Sequence, residues 1–206
     1  MSEFFFIIPI LILSVVIHEV SHGLAAERLG DPTARLAGRL TLNPLRHLDP
    51  VGSFLVPALS YALGGFILGW AKPVPYNPYN LRWSKWDEAI VAVAGPLSNA
   101  VIAIFFGLVL RFTLVNQLIN SAFLEIFSYI IFINLILMVF NLIPAPPLDG
   151  SKILFAFLSY RNARIREFME SNSLLLVFIA VFFLWRLILP VVFFLFRAIA
   201  GFPLSF

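Results

Sequence analysis

Cysteine is absent from the 206 residues, and only 12% of them are charged. The first absence excludes disulfide frameworks, thiol nucleophiles and thiolate metal sites, so a metal here must be held by histidines and carboxylates. The second excludes a soluble enzyme. Soluble domains carry about a quarter charged residues, and half that share leaves too few to solvate a water-facing surface of this size. Histidine is scarce as well, with three residues beside eleven carboxylates. What fills the chain is apolar: 61% hydrophobic residues, 23 Phe and a mean hydropathy of +0.96 describe an integral membrane protein. The net charge of +3 carries no nucleic-acid signal in such a chain, because loop charge bias accounts for the basic residues.

Four stretches reach the roughly 20 apolar residues that a bilayer crossing needs. They are residues 4–28, 89–112, 122–143 and 173–198. The first is preceded by Glu3 rather than a basic cluster and stays apolar into Leu24-Ala25-Ala26, so a permanent span is expected there and not a cleaved signal. The last is interrupted by Arg186 and Pro190, where a kink or an early end is expected. A fifth apolar stretch, 51–70, contains Gly52, Pro57, Gly64, Gly65 and Gly69, too many breakers for one straight helix. It is expected to be re-entrant and to line a cavity, the setting in which irregular backbone is tolerated at membrane depth. The expected fold is an all-α polytopic membrane protein, one domain over 1–206. It has about four transmembrane helices and a re-entrant or β-hairpin membrane-associated region at about 30–88.

The first span ends in His18-Glu19-Val20-Ser21-His22, the H-E-x-x-H pattern. Four residues advance a helix by about 400°, so both imidazoles project from one face and can share a zinc ion. Glu19 is offset by about 100°, which lets its carboxylate reach the reacting water without becoming a ligand, a general-base position. The motif follows fourteen mostly apolar residues, Phe4 to Ile17. At about 1.5 Å per residue it lies some 20 Å into a roughly 30 Å core, where ionisable groups are functional by default. A catalytic zinc holds three protein ligands, so one is still owed. Asp149 is the best candidate: it follows the third span in Asn141-Leu-Ile-Pro-Ala-Pro-Pro-Leu-Asp149-Gly150, where three prolines break the helix and Gly150 permits a sharp turn.

With these residues the chain resembles the site-2 protease family of intramembrane zinc metalloproteases, in a compact form without PDZ or CBS modules. The resemblance covers most of the chain. It rests on His18 to His22, on Gly95-Pro96-Leu97-Ser98-Asn99 and on Asn141 to Gly150. It rests further on Leu42-Asn43-Pro44 to Asp49-Pro50, and on Gly69-Trp70-Ala71-Lys72-Pro73-Val74-Pro75 to Asn77-Pro78. It implies one Zn2+ per chain on His18, His22 and Asp149, Glu19 as base, and hydrolysis of a peptide bond in a transmembrane protein substrate, as in regulated intramembrane proteolysis. It also implies a supporting polar role for Asn141.

Convergence of His18, His22 and Asp149 on one ion requires the first and third spans to end on the same side, so 51–70 should not cross the bilayer. One side then receives Arg28, Arg35, Arg39, Arg46, Lys72, Arg82, Lys85, Lys152, Arg161, Arg164 and Arg166, eleven of the fourteen basic residues. The positive-inside rule places that side, and the site, toward the cytoplasm of the cell membrane. The substrate is expected to unwind locally, pairing as a strand with an edge from 38–78. Asn99 and Asn141 are candidates to hydrogen-bond substrate or oxyanion, with helix packing as the alternative for each. His47 and Asp49 are left out of the site. Trp70, Trp83, Trp86, Tyr76 and Tyr79 read as an interfacial aromatic belt. The competing class is a metal-binding membrane transporter or channel, which also uses intramembrane histidine and carboxylate clusters.

Overall fold

The computed structural model describes residues 2–56, 59, 62, 71–82, 86–116, 120–158 and 163–203. Seven helices carry the architecture among them: α1 (Ser2–Arg28), α2 (Asp87–Val115), α3 (Ser121–Asn141), α4 (Asp149–Phe157), α5 (Ala163–Ser171), α6 (Ser173–Ile179) and α7 (Trp185–Ala200). Local chemistry sets their ends. Asp87 and Glu88 occupy the first turn of α2, where carboxylates complement the helix dipole. The Asn120 side chain accepts from the Phe123 amide to cap α3. α3 stops where Pro144, Pro146 and Pro147 cannot supply amide hydrogens, and α7 stops at Gly201, whose φ of +87° is the left-handed cap conformation.

Phe6–Arg28, Asp87–Val115 and Ser121–Asn141 are long and apolar enough to cross a membrane. This agrees with the first three expected spans. The fourth is more broken than the sequence suggests: Ala163–Ser171 and Ser173–Leu184 meet at a 75° bend, and count as a span only if taken together. The helix continues through a π-helical turn at Ala180–Leu184 into α7, so the interruption precedes Arg186 and α7 passes through Pro190. α7 presents Ile188, Val192, Phe196 and Ala200, four residues apart on one face, to Ala103 and Leu110 of α2 and Ile131 and Leu135 of α3. Its opposite face exposes Leu187, Val191 and Phe194. Lipid is as apolar as this core, so close van der Waals fit rather than water exclusion holds these helices together. Gly107 illustrates this: a Cβ there would lie 2.3 Å from Ile199.

α2 packs antiparallel to α1, since Val91 meets His22 while Asn99 meets Ser14 and His18 further back along α1. α3 runs parallel to α1. The connection from α1 to α2 therefore begins and ends at one end of the bundle, as convergence of the three ligands requires. Residues 57–58, 60–61 and 63–70 of the expected re-entrant stretch lie outside the described residues, as do Trp70 and Trp83. Among the described residues of the region 30–88 no strand forms, so the hairpin alternative finds no ladder there. Val51–Leu55 is a π-helical turn capped by Asp49, whose side chain accepts from the Val51 and Gly52 amides. Residues 71–77 form no regular secondary structure.

Asp31 ties that run to the end of α1. Its carboxylate is fully buried and accepts from the Thr33 amide and hydroxyl, the Asn77 amide and the Asn80 side chain. Burial by itself would raise its pKa; these donors outweigh burial and hold the carboxyl below the usual range. A depressed folded pKa contributes stability that is present above the unfolded value and is lost as pH falls through the folded one. Asp31→Ala is expected to cost about 1–3 kcal/mol, the desolvation left on unpaired donors. It should also flatten the acid limb of the stability profile below about pH 4. Thermal unfolding in detergent across pH checks both; an unchanged acid limb would exclude Asp31 as its source.

Candidate metal centre

The two histidines of α1 and the first residue of α4 meet inside the bundle. His18 Nε2 lies 3.1 Å from His22 Nε2, and each lies 3.2 Å from Asp149 Oδ2. All three residues are buried. The partners of the opposite ring nitrogens settle the proton positions. His22 Nδ1 donates to the Val91 carbonyl at 2.7 Å, and His18 Nδ1 donates to Asn99 Oδ1 at 2.6 Å. With both imidazoles neutral, as metal ligands must be, the Nε2 atoms are then lone-pair acceptors, and with the carboxylate oxygen they form a triangle of three acceptors suited to a cation between them. Tetrahedral ligands about 2.0–2.1 Å from a zinc ion stand roughly 3.3 Å apart, close to these spacings. The residues fit a divalent cation with one open position.

The backbone around the triangle makes room for it. A Cβ at Gly95 would fall 2.4 Å from His22 Nε2 and 2.6 Å from His18 Nε2, so α2 must have glycine where it crosses the ligands. Gly150 does the same for the turn that delivers Asp149, because a Cβ there would strike the Leu142 and Ile143 carbonyls at 2.3 and 2.4 Å. Three prolines break α3, and α4 restarts at Asp149, which places the carboxylate on the face toward α1.

Glu19 lines a cavity of about 350 Å³ beside the triangle, together with Tyr76, Asn141 and Lys152. Its Oε2 accepts from the Val74 amide at 2.8 Å. Pro73 and Pro75 flank that residue and have no amide hydrogen, so Val74 is the one donor the Pro-Val-Pro run offers. Arg39 secures the run from behind, donating from Nη2 to the Lys72 carbonyl at 2.7 Å. Lys152 sits 5.0 Å over the Tyr76 ring at the cavity wall. Burial, the leading influence, raises the Tyr76 phenol pKa.

Of the two asparagines named from sequence, Asn141 reaches the cavity, with its side chain donating to Leu137 O at 2.9 Å. Asn99 does not. It is fully buried behind His18, whose Nδ1 its Oδ1 meets at 2.6 Å, and does not itself line the cavity. His47 is buried away from the site, donating from Nε2 to the Thr41 carbonyl while its own carbonyl accepts from the Lys72 amide. Trp86 packs edge-on to Phe157 and Tyr79 is almost wholly exposed. The sequence pattern reads Gly95 as a small residue for helix packing without pointing to the ligand nitrogens it approaches, and it does not point to the Val91 carbonyl, the Val74 amide or Asn134. A buried amide in the middle of an apolar span is the signal that could have found Asn134; backbone partners leave none.

A buried histidine, histidine and aspartate group with an adjacent glutamate, set inside a bundle of apolar helices, defines the class: a polytopic membrane metalloprotease. Residues 111–185 match the model of peptidase family M50. The chain is 39% identical over 154 residues to the Bacillus subtilis (strain 168) protein named "Putative zinc metalloprotease YwhC", covering 72% of this chain and 67% of that one. It is 31% identical over 173 residues to the Mycobacterium tuberculosis (strain ATCC 25618 / H37Rv) protein named Rip2, covering 84% of this chain and 64% of that one. The Mycolicibacterium smegmatis Rip2 is 33% identical over 140 residues, and the chain spans 52% of its length. No solved structure matches the chain. The chain belongs to peptidase family M50, the site-2 protease family.

Proposed function

We propose that this chain is a zinc-dependent intramembrane protease, one Zn2+ per chain, cutting single-pass transmembrane proteins near the cytoplasmic face of the cell membrane during regulated intramembrane proteolysis. The observation that carries it is the triangle of three mutually facing acceptors with Glu19 at its side, buried between apolar helices. The relatives' names support zinc, and the eleven basic residues that alternation of the spans assigns to the side of the site support its cytoplasmic orientation.

His18, His22 and Asp149 would hold the zinc, which when bound would supply Lewis-acid activation of a water and of the scissile carbonyl. Glu19 takes the water's proton and returns it to the leaving amine. The Val74 amide holds the Glu19 carboxylate in one orientation meanwhile. Asn141, on the cavity wall, is placed to hydrogen-bond the substrate backbone or the oxyanion.

A peptide bond in a transmembrane helix is shielded by its own hydrogen bonds, so local unwinding must precede cleavage. Proline or glycine placed near the scissile bond of a model transmembrane substrate is expected to raise kcat/KM, since each disfavours helix by about 1–3 kcal/mol. In vesicles with the cytoplasmic face outward, the product should appear outside. Cleavage indifferent to substrate helicity, or product released on the opposite side, would count against the proposal.

A further inference from the structure

The two histidines owe their orientation to different kinds of partner. His22 faces a backbone carbonyl, Val91 O, which can only accept, so its proton is fixed on Nδ1. His18 faces the Asn99 side-chain amide, which can turn either its oxygen or its nitrogen toward the ring. A turned amide would point an N–H at His18 Nδ1, drive the ring proton to Nε2 and close that nitrogen to a metal. Something must prevent this.

We propose that Asn134, in the middle of α3, prevents it and is a positioning residue of the metal centre, acting on His18 through Asn99. The orientations follow from one fixed point. The Ile130 carbonyl can only accept, and Asn134 Nδ2 donates to it at 2.8 Å and to Ser14 Oγ at 2.9 Å. Asn134 Oδ1 therefore faces the other way and accepts from Asn99 Nδ2 at 2.8 Å, which also lies 3.5 Å from the Ser14 carbonyl. With its nitrogen engaged there, Asn99 presents Oδ1 to His18 Nδ1–H. Both amides are fully buried, so no water can substitute for a missing partner. The relay links α1, α2 and α3 and ends on a ligand nitrogen, while Asn134 lies off the cavity wall and touches no substrate space. It rests on the metalloprotease reading above.

The test compares zinc affinity, by chelator competition in detergent, for the full chain as wild type, Asn134→Leu, Asn99→Leu and the double variant. Leucine at 99 offers His18 neither donor nor acceptor, so nothing is left there for Asn134 to steer. Asn134→Leu is expected to raise the zinc Kd about 10–100-fold, the usual effect of losing an orienting partner. In the Asn99→Leu background the same change should stay within about twofold, the scatter of independent sites. Asn134→Ala, which removes the amide without adding bulk, serves if the leucine variant does not assemble. Equal losses in both backgrounds, as general damage to packing would give, or no loss in either, overturn the relay. Wild type that binds no zinc would sink the metalloprotease reading and the relay with it; zinc-binding wild type with either wrong pattern sinks the relay alone.

Discussion

Glu19→Gln should lower peptidase kcat by about 10²–10⁴-fold, the usual share of a positioned general acid and base, while zinc stays at one per chain. The two halves of this expectation come from different parts of the site. Glutamine keeps the length and shape of the side chain, and its oxygen can still accept from the Val74 amide, so the local packing survives. It cannot take a proton from the attacking water or return one to the leaving amine. The ligands are untouched, because His18, His22 and Asp149 form the triangle without Glu19. Zinc content by elemental analysis and cleavage of a model transmembrane substrate are the two readings. Loss of turnover with metal retained assigns Glu19 the proton transfer. Equal cleavage in both proteins would remove it from the mechanism, and metal-dependent ion flux without cleavage would favour the transporter class instead.

Gly95→Ala is expected to empty the metal site, with the zinc Kd rising by at least about 100-fold, the upper end of what a lost orienting partner costs. The added methyl would sit 2.4 Å from His22 Nε2 and 2.6 Å from His18 Nε2, inside van der Waals contact with the ligand atoms themselves. Neither ring can swing aside cheaply. His22 is held by the Val91 carbonyl and His18 by Asn99, so relief requires breaking one of these bonds or moving α2 away from α1. The sign makes the prediction sharp. In a helix interior alanine is favoured over glycine by about 1 kcal/mol, so without the clash the variant would be more stable and bind zinc normally. Helix content by circular dichroism, read beside zinc affinity, separates a misfolded chain from a folded one without its metal. A folded variant with unchanged affinity would show that α2 does not press on the ligands.

Much of the site is legible in the amino-acid sequence because it is written locally. The ligand pair of His18 and His22 depends only on helical periodicity, and Asp149 stands out because prolines and a glycine around it announce a turn at the end of a span. Composition assigns the chain to the membrane, since charge scarcity and apolar run length answer to the solvent and need no fold. Even the absence of a net crossing between the first two spans follows, because two parts of the chain that share one ion must lie on the same side. Asn99, by contrast, cannot be divided between packing and substrate contact on sequence alone: both uses need a polar residue inside a span, and only the neighbours of α2 show that it faces His18 and not the cavity. Gly95 reads as a small residue for helix packing, yet what it approaches is a pair of ligand nitrogens on another helix. The Val74 amide and the Val91 carbonyl are backbone groups, of a kind nearly every residue carries, and acquire a role only from where the chain carries them. The fourth span divides differently from expectation for a related reason. Hydropathy records what lipid tolerates, whereas the 75° bend before α6 and the π-helical turn before α7 are matters of packing between helices. Ligand identity is a property of side chains at a helical spacing; ligand orientation, proton placement and the shape of the cavity belong to contacts between residues far apart in the chain, and those exist only once the helices have met.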